Sequence, residues 1–195
     1  FNEIDYAKFA AETMNVRHHM KILDIDEDLI FKVIEHLDEP FGDPSLIPTY
    51  LLSEMTREKV TVALSGDAGD ELFGGYDTYK AYKYAKYIPG FLIHMLKSIT
   101  GFIGGSDKNL HVSFKFKKFV DDYHKNINIR HLSWMSQISE ALAKKLLQDK
   151  FRPMNYNRKG KNLLSLQLND FENYLCCDIL KKTDTASMMN SLEAR

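Results

Sequence analysis

Residues 60–64 read Val60-Thr61-Val62-Ala63-Leu64, a short apolar run rich in β-branched side chains. Such a run is typical of a strand that is buried on both faces of a parallel sheet. The chain continues with Ser65-Gly66-Asp67-Ala68-Gly69-Asp70-Glu71-Leu72-Phe73-Gly74-Gly75-Tyr76. Because open α/β sheets bind ligands at the carboxyl ends of their strands, this segment is the first candidate for a binding site. It is called the acidic turn (residues 65–76) below.

The sequence before this strand predicts helices separated by a strand and a loop. A first helix is expected to stop at Asn15, a second to begin after Asp26, and a third to cover about residues 47–59. Loosely alternating residues at 16–25 are interpreted as a further strand, and the prolines and glycine of residues 38–45 enforce a loop. This alternation of helices and strands predicts an open parallel α/β sheet.

The remainder of the chain shows helical patterns. The clearest apolar spacing runs over about four turns through Leu164, Leu168, Phe171, Leu175 and Ile179. We therefore expect residues 1–78 to form an α/β part and residues 79–195 a large helical part of one and the same domain.

The amino-acid composition argues against several classes of protein. The 195 residues carry a formal net charge of −1, with 44% hydrophobic and 27% charged residues. That balance gives no electrostatic reason to expect nucleic acid as a partner, and no apolar run approaches the roughly 18 residues of a membrane span. Cys176 and Cys177 are the two cysteines. Adjacent cysteines do not make a disulfide framework, so a reducing cytoplasm is the expected location.

The residue types of the acidic turn suit a particular chemistry. Gly66 lets the backbone approach a ligand, and the Ser65 hydroxyl can hydrogen-bond it. Asp67, Asp70 and Glu71 place three carboxylates within five residues. Such a set binds Mg²⁺ through oxygen atoms alongside substrate phosphates, or recognises an amine. The turn lacks the lysine of a phosphate-binding P-loop, so any phosphate is expected to be held through a metal or by another loop.

Two structural alternatives remain open at this stage. Asp67 and Asp70 could simply cap the following helix and favour its positive end. The loop at residues 38–45 could line the same edge of the sheet, but turn chemistry alone also explains its prolines and aspartates.

Three segments together resemble one known family. Leu64 and the acidic turn resemble the LSGdGgDElFGGY signature of glutamine-dependent asparagine synthetases. Residues 36–45 and 47–50 are similar to the segment just before that signature. Residues 184–188 and 191–195 resemble the later DRASM…slEaRvPFLD stretch, although Thr185 stands where the family often has arginine.

The resemblance implies a fold and an activity. It implies an N-terminal glutaminase domain followed by a synthetase domain of the ATP-pyrophosphatase (adenine nucleotide α-hydrolase-like) type. In that family the side-chain carboxylate of aspartate attacks the α-phosphate of Mg-ATP, which gives β-aspartyl-AMP and pyrophosphate. Ammonia released from glutamine then displaces AMP and leaves asparagine.

The resemblance also implies roles for particular residues. Ser65 and Gly66 would contact ATP or its adenylate. Asp67 and Glu193 would be the catalytic carboxylates that act on the aspartyl adenylate. Asp70 would hold Mg²⁺, and Glu71 would support the metal or the loop.

Several parts of the family pattern are missing from these 195 residues. The SGGxDS pyrophosphate loop and the glutaminase nucleophile do not occur in them. We therefore expect the chain to be a piece of a longer protein, incomplete at both ends of the synthetase domain and inactive by itself. A sheet edge left unpaired in such a piece would favour a homodimer.

Two other functions fit the same residues. The parent protein could be an amidotransferase of the same family that adenylates another carboxylic acid, as a β-lactam synthetase or a surface-glycan amidating enzyme does. It could also be a non-catalytic assembly module that keeps the fold.

Overall fold

A computed structural model of the chain describes residues 4–100, 110–123, 126–136, 138, 140–150, 160 and 162–195. Helices dominate these residues. Their bounds are α1 (Ile4–Thr13), α2 (Glu27–Ile34), α3 (Leu46–Arg57), α4 (Gly69–Phe73), α5 (Asp77–Ala85), α6 (Gly90–Thr100), α7 (Leu110–Asp121), α8 (Ile127–Met135), α9 (Glu140–Leu147), α10 (Leu163–Asp170) and α11 (Leu180–Met188). A 3₁₀ turn follows α9 at Gln148–Lys150, and a π-helix at Phe171–Ile179 joins α10 to α11.

The chain divides into two compact units. The first comprises residues 1–63 and 182–195, and the second comprises residues 64–181. The acidic turn therefore belongs to the second unit, whereas Glu193 belongs to the first. The expected division into an α/β part (1–78) and a helical part (79–195) stays a prediction.

The strands of the described residues form a two-stranded parallel sheet in the first unit. β1 (Val62–Ala63) pairs with β2 (Glu193–Ala194), and Glu193 N–H donates to the carbonyl oxygen of Thr61 at 2.9 Å. The mixture of helices and a small parallel sheet is consistent with the α/β class. No pattern had predicted β2, because two extended residues are too few to show a period.

The expectation that residues 60–64 are buried on both faces is wrong for this structure. Within that run the paired residues are 62 and 63, and Val62 is 44% exposed. Within the described residues the sheet has two strands and lacks the neighbouring strands of a larger parallel sheet, so Val62 remains accessible.

The strand expected at residues 16–25 is also absent from the described structure. Residues 16–26 are irregular and exposed. Extended backbone becomes a strand only when a neighbour satisfies its hydrogen bonds, and a loose alternation in sequence does not supply that neighbour.

The predicted helix ends in the same unit are confirmed. α1 ends at Thr13, and Asn15 follows with φ = 50°, the left-handed conformation that asparagine tolerates at a helix stop. Asp26 caps α2, because its Oδ1 accepts a hydrogen bond from Leu29 N–H at 2.8 Å. The third predicted helix is α3.

Each unit has its own small apolar core. In the first unit one cluster of buried residues consists of Val33, Leu46, Tyr50, Leu51 and Ala186. In the second unit a cluster consists of Tyr79, Tyr82 and Leu166, with Tyr76, Ile127 and Leu163 packed against it. Tyr79 and Tyr82 lie on α5, which directly follows the acidic turn in sequence. Leu166 lies on α10, so these two helices share one core.

The buried face of α10 carries polar groups. Asn169 and Asp170 are buried beside Leu166, whereas Leu164 and Phe171 of the apolar spacing are exposed. Apolar periodicity alone therefore does not identify the buried side of this helix. Within the described residues, no helix has both the length and the apolar character that crossing a membrane requires.

Candidate functional site

The first half of the acidic turn is held by its own backbone. Gly69 N–H donates to the Gly66 carbonyl at 3.2 Å, and the Ser65 hydroxyl lies 3.4 Å from the N–H of Asp67. The N-cap of α4 is Ala68, which makes no side-chain capping hydrogen bond. Neither Asp67 nor Asp70 is the N-cap residue, but Asp70 lies in the first turn of α4, where its charge favours the positive end of the helix.

Two glycines close the second half of the turn. Gly74 has φ = 71°, in the left-handed region that costs glycine nothing. Its N–H and that of Gly75 both donate to the carbonyl oxygen of Asp70. A Cβ atom on Gly75 would lie 2.0 Å from Oδ1 of Asp70, so only glycine leaves room for the Asp70 side chain in this position.

The two carboxylates at the start of α4 have opposite environments. Glu71 is 3% exposed and accepts a hydrogen bond from the hydroxyl of Tyr76 at 2.7 Å. Burial and this hydrogen bond to Glu71 raise the pKa of Tyr76 well above its ordinary value. Asp70 is exposed, and its carboxylate makes no hydrogen bond or ion pair within the described residues. Asp67 is half-buried.

The environments of Asp70 and Glu71 determine how well each carboxylate could bind the expected Mg²⁺. Within the part of the chain that the structure describes, no three His, Cys, Asp or Glu side chains are grouped to hold a metal. Asp70 fits a metal that is held mainly by substrate phosphates, because its oxygens are accessible and uncommitted. Glu71 fits such a metal poorly, because its Oε1 already accepts the Tyr76 hydroxyl and the side chain is buried.

A glutamine that the sequence reasoning missed contacts the acidic turn. Gln167, on α10, donates from Nε2 to the carbonyl oxygen of Glu71 at 2.8 Å and lies 3.5 Å from that of Leu72. These are among the last carbonyls of a short helix, which need partners from outside it. No local pattern around Gln167 signals this contact, since the partners are more than 90 residues apart.

A buried polar cluster, consisting of Tyr79, His131 and Asp170, lies in the same unit. Oδ2 of Asp170 accepts the Tyr79 hydroxyl at 2.7 Å and is 2.6 Å from Nε2 of His131. The rings of Tyr79 and His131 are parallel within 6° at 5.5 Å. All three side chains are almost inaccessible, so the cluster holds α5, α8 and α10 together.

In the first unit, Glu193 lies on β2 and is exposed. Its Oε1 accepts hydrogen bonds from the guanidinium of Arg195, with 2.8 Å to Nε and 2.7 Å to Nη2. Residues two apart on an extended segment share a face, which explains the pair. The predicted site residues are thus divided. Ser65, Gly66, Asp67, Asp70 and Glu71 lie together in the second unit, and Glu193 lies in the first.

The loop at residues 38–45 also belongs to the first unit and is fixed by a lysine. Oδ2 of Asp43 is 2.9 Å from Nζ of Lys182, which is also 2.9 Å from the Ser45 hydroxyl. Ser45 further donates to Oδ1 of Asp43 through its N–H and hydroxyl. Burial alone would raise the pKa of Asp43, but the hydrogen bonds from Lys182 and Ser45 outweigh burial and lower it. Turn chemistry and an ion pair account for this part of the loop.

Comparison with known proteins gives matches over the whole chain. The family described as asparagine synthase matches residues 1–195. The glutamine-hydrolyzing asparagine synthetase 1 of Bacillus subtilis (strain 168) is 28% identical over 210 residues, which cover 100% of the chain and 32% of that protein. A putative glutamine-hydrolyzing asparagine synthetase 2 of Methanocaldococcus jannaschii is 33% identical over 208 residues, with 97% of the chain and 38% of that protein covered.

A third relative has a similar identity and coverage. A putative glutamine-hydrolyzing asparagine synthetase of Mycobacterium tuberculosis (strain CDC 1551 / Oshkosh) is 30% identical over 210 residues, which cover 100% of the chain and 31% of that protein. The chain therefore spans about a third of the length of these curated relatives. No solved structure matches it.

Proposed function

The chain belongs to the asparagine synthase family, and from this premise we propose that the full-length protein is a glutamine-dependent asparagine synthetase. It adenylates the side-chain carboxylate of aspartate with ATP and then forms the amide with ammonia derived from glutamine. The ammonia comes from an N-terminal glutaminase domain of the same protein. The 195-residue piece by itself is inactive, because the SGGxDS loop that grips pyrophosphate is not among its residues.

One observation of the structure supports this proposal above the others. Asp70 keeps an accessible carboxylate with no partner in the described residues, although Glu71 beside it is buried and hydrogen-bonded. A carboxylate that has no hydrogen-bond partner in its own turn is available to bind a cation or a cationic group.

The residues of the turn then divide the work of binding and chemistry. Ser65 and Gly66 bind ATP and its adenylate through the hydroxyl and the backbone amide. Asp70 would hold Mg²⁺, and a bound Mg²⁺ would supply positive charge to the phosphate groups of ATP. Asp67 and Glu193 are the catalytic carboxylates that orient the incoming ammonia and accept its proton. Glu71, the other residue assigned to the metal, serves mainly to support the turn.

The remaining parts of the proposal concern the whole protein. The complete synthetase domain has the open parallel sheet of the ATP-pyrophosphatase type, of which residues 1–78 contribute the α/β part and residues 79–195 the helical part. The enzyme acts in the cytoplasm, and an unpaired sheet edge of the 195-residue piece favours a homodimer of that piece. The structure and localisation of the full-length protein and the oligomeric state of the piece test these statements.

The decisive experiment measures pyrophosphate release by the full-length protein with Mg-ATP, ammonia and a panel of carboxylic acids, beside the same protein carrying Asp70→Ala. We expect release with aspartate and its loss in the variant. Release with another acid alone would identify an amidotransferase of different specificity. ATP binding without release on any acid would favour the assembly module.

A further inference from the structure

Gln167 occupies a position from which it acts on the acidic turn through the backbone. Its Nε2 lies 2.8 Å from the carbonyl oxygen of Glu71 and 3.5 Å from that of Leu72. A Cβ atom added at Gly74 would lie 3.7 Å from the same nitrogen, so the Gln167 amide also lies close to the first of the two glycines that end the turn. One side chain thus contacts two carbonyl groups of the turn's closing segment.

The closing segment holds the backbone of Asp70 and borders its carboxylate. The carbonyl oxygen of Asp70 receives the N–H groups of Gly74 and Gly75, and its Oδ1 rests against Gly75. If the carbonyls of residues 71 and 72 lose their donor, α4 can fray at its last turn, since a five-residue helix has few hydrogen bonds of its own. The glycines would then shift, and with them the position of the Asp70 carboxylate.

Gln167 is itself held firmly. It lies on α10 between Leu166, which is fully buried, and Asp170, which is bonded to Tyr79 and placed beside His131. The donor is therefore attached to a helix that the buried core and the hydrogen bond of Asp170 hold in place, in addition to its contact with the turn. A rigid support of this kind is what a binding group needs to keep its geometry.

We propose that Gln167 is a positioning residue of the acidic turn, which holds the Asp70 carboxylate in the geometry that binds a divalent cation. The cation-binding part of this inference rests on the proposed function, whereas the ordering of the turn by Gln167 does not. Gln167 touches neither substrate nor metal, and it acts through the carbonyl oxygens of Glu71 and Leu72.

The test compares two amide side chains of the full-length protein. Gln167→Met keeps the length of the side chain and removes the donor. The matched control is Asn173→Leu, because Asn173 is also half-buried and donates from Nδ2 to a carbonyl, that of Asn169, but within its own helical segment. Both variants lose one amide donor to a backbone carbonyl, and only the first loses a contact with the turn.

Hydrogen–deuterium exchange of peptides that cover residues 64–76 gives the first readout. We expect the amides of Gly74 and Gly75 to exchange about tenfold faster in Gln167→Met and unchanged in Asn173→Leu. Equal exchange in the wild type and in Gln167→Met, or equal acceleration in both variants, overturns the proposal whatever the protein's activity is.

Binding of Mn²⁺, followed by its electron paramagnetic resonance signal in the presence of a non-hydrolysable ATP analogue, gives the second readout. We expect about fivefold weaker binding in Gln167→Met and wild-type binding in Asn173→Leu. Faster exchange with unchanged Mn²⁺ affinity would reduce Gln167 to a purely structural residue and overturn the proposal. A wild type that binds no Mn²⁺ would remove the metal from the proposed function, and the exchange result would then still decide whether Gln167 orders the turn.

Discussion

Two aspartates of the second unit differ in almost every respect except their residue type. Asp70 in the acidic turn is exposed and has no side-chain partner within the described residues. Asp170 on α10 is 1% exposed, accepts the Tyr79 hydroxyl and lies 2.6 Å from Nε2 of His131. A buried carboxyl group must have its donors supplied by the fold, because leaving it unpaired is costly. An exposed one needs no donor, so a rigid turn that presents it points toward an external ligand.

This contrast separates groups that stabilise the protein from groups that act on something else. Secondary structure does not separate these two groups, since both aspartates lie on helices of the same unit. The number and kind of hydrogen-bond partners separate them. Substitutions of residues from both groups test this distinction.

Asp70→Asn replaces the exposed carboxylate by a side chain of the same shape without the charge. We expect aspartate-dependent pyrophosphate release by the full-length protein to fall about 10²- to 10³-fold, as for loss of one group that stabilises charge in a transition state. The midpoint of thermal unfolding should change by no more than about 1 °C, because no partner of Asp70 is lost. A large loss of stability would show that Asp70 has a structural role.

Asp170→Asn makes the same change in the buried cluster. We expect the free energy of unfolding to fall by about 2–3 kcal/mol, because the Tyr79 hydroxyl and His131 exchange a carboxyl partner for a weaker amide acceptor in a buried site. Urea unfolding of the full-length protein checks this value. Stability equal to that of the wild type would mean that a neutral amide satisfies both neighbours, and the contrast with Asp70 would lose its basis.

Lys182→Met removes the donor that fixes Asp43. We expect a loss of about 2 kcal/mol at neutral pH, somewhat less than for a fully buried pair because Ser45 still donates twice to Asp43. The lowered pKa of Asp43 means that its ionised form stabilises the wild type above the ordinary carboxyl pKa of about 4, and that this contribution is lost as the pH falls through the lowered value.

The variant should therefore lose less stability on acidification than the wild type does. Unfolding free energies measured between about pH 3 and pH 7 test this difference, and parallel curves for the two proteins would contradict it. Lys144→Met is a suitable control, because Lys144 pairs with Glu140 on an exposed helix face, where an ion pair contributes about 0.5 kcal/mol or less.

Ala68→Gly addresses the backbone of the acidic turn. Ala68 has φ = 70°, a conformation in which its Cβ is crowded and which glycine adopts freely. We expect the substitution to raise the free energy of unfolding by up to about 1 kcal/mol. Ala143→Gly, in the middle of α9, should lower it by a similar amount. A stabilisation by both substitutions, or by neither, would argue against strain at Ala68.

The sequence allowed the local features of the molecule to be predicted, and failed for features that depend on distant partners. The end of α1 at Asn15 and the cap of α2 at Asp26 follow from short-range backbone chemistry, and the structure confirms both. The strand at residues 16–25 was predicted from a weak alternation, and the described residues hold no neighbouring strand that pairs with it. β2 escaped prediction because it is two residues long and forms only by pairing with β1.

For the candidate site, too, the sequence predicted local features and missed those that depend on distant partners. The glycines and carboxylates of the acidic turn stand out in sequence because they are clustered within a few residues. Gln167 and Lys182 do not, since a single glutamine or lysine on a helix gives no signal until the fold brings it to Glu71 or to Asp43. The opposite environments of Asp70 and Glu71 were equally beyond local patterns, because burial is decided by the whole unit.

The pairing of β1 with β2 has a consequence for the order in which the chain folds during synthesis. Val62 pairs with Glu193, so the sheet joins residues roughly 130 positions apart, and the first unit contains both segments. The second unit is continuous and leaves the ribosome as one piece. At about 5–20 residues per second, synthesis of the intervening residues takes about 7 to 26 s, and α1 to β1 must wait that long for β2 to emerge. We expect the second unit to become protected from proteolysis on stalled nascent chains before the first unit does.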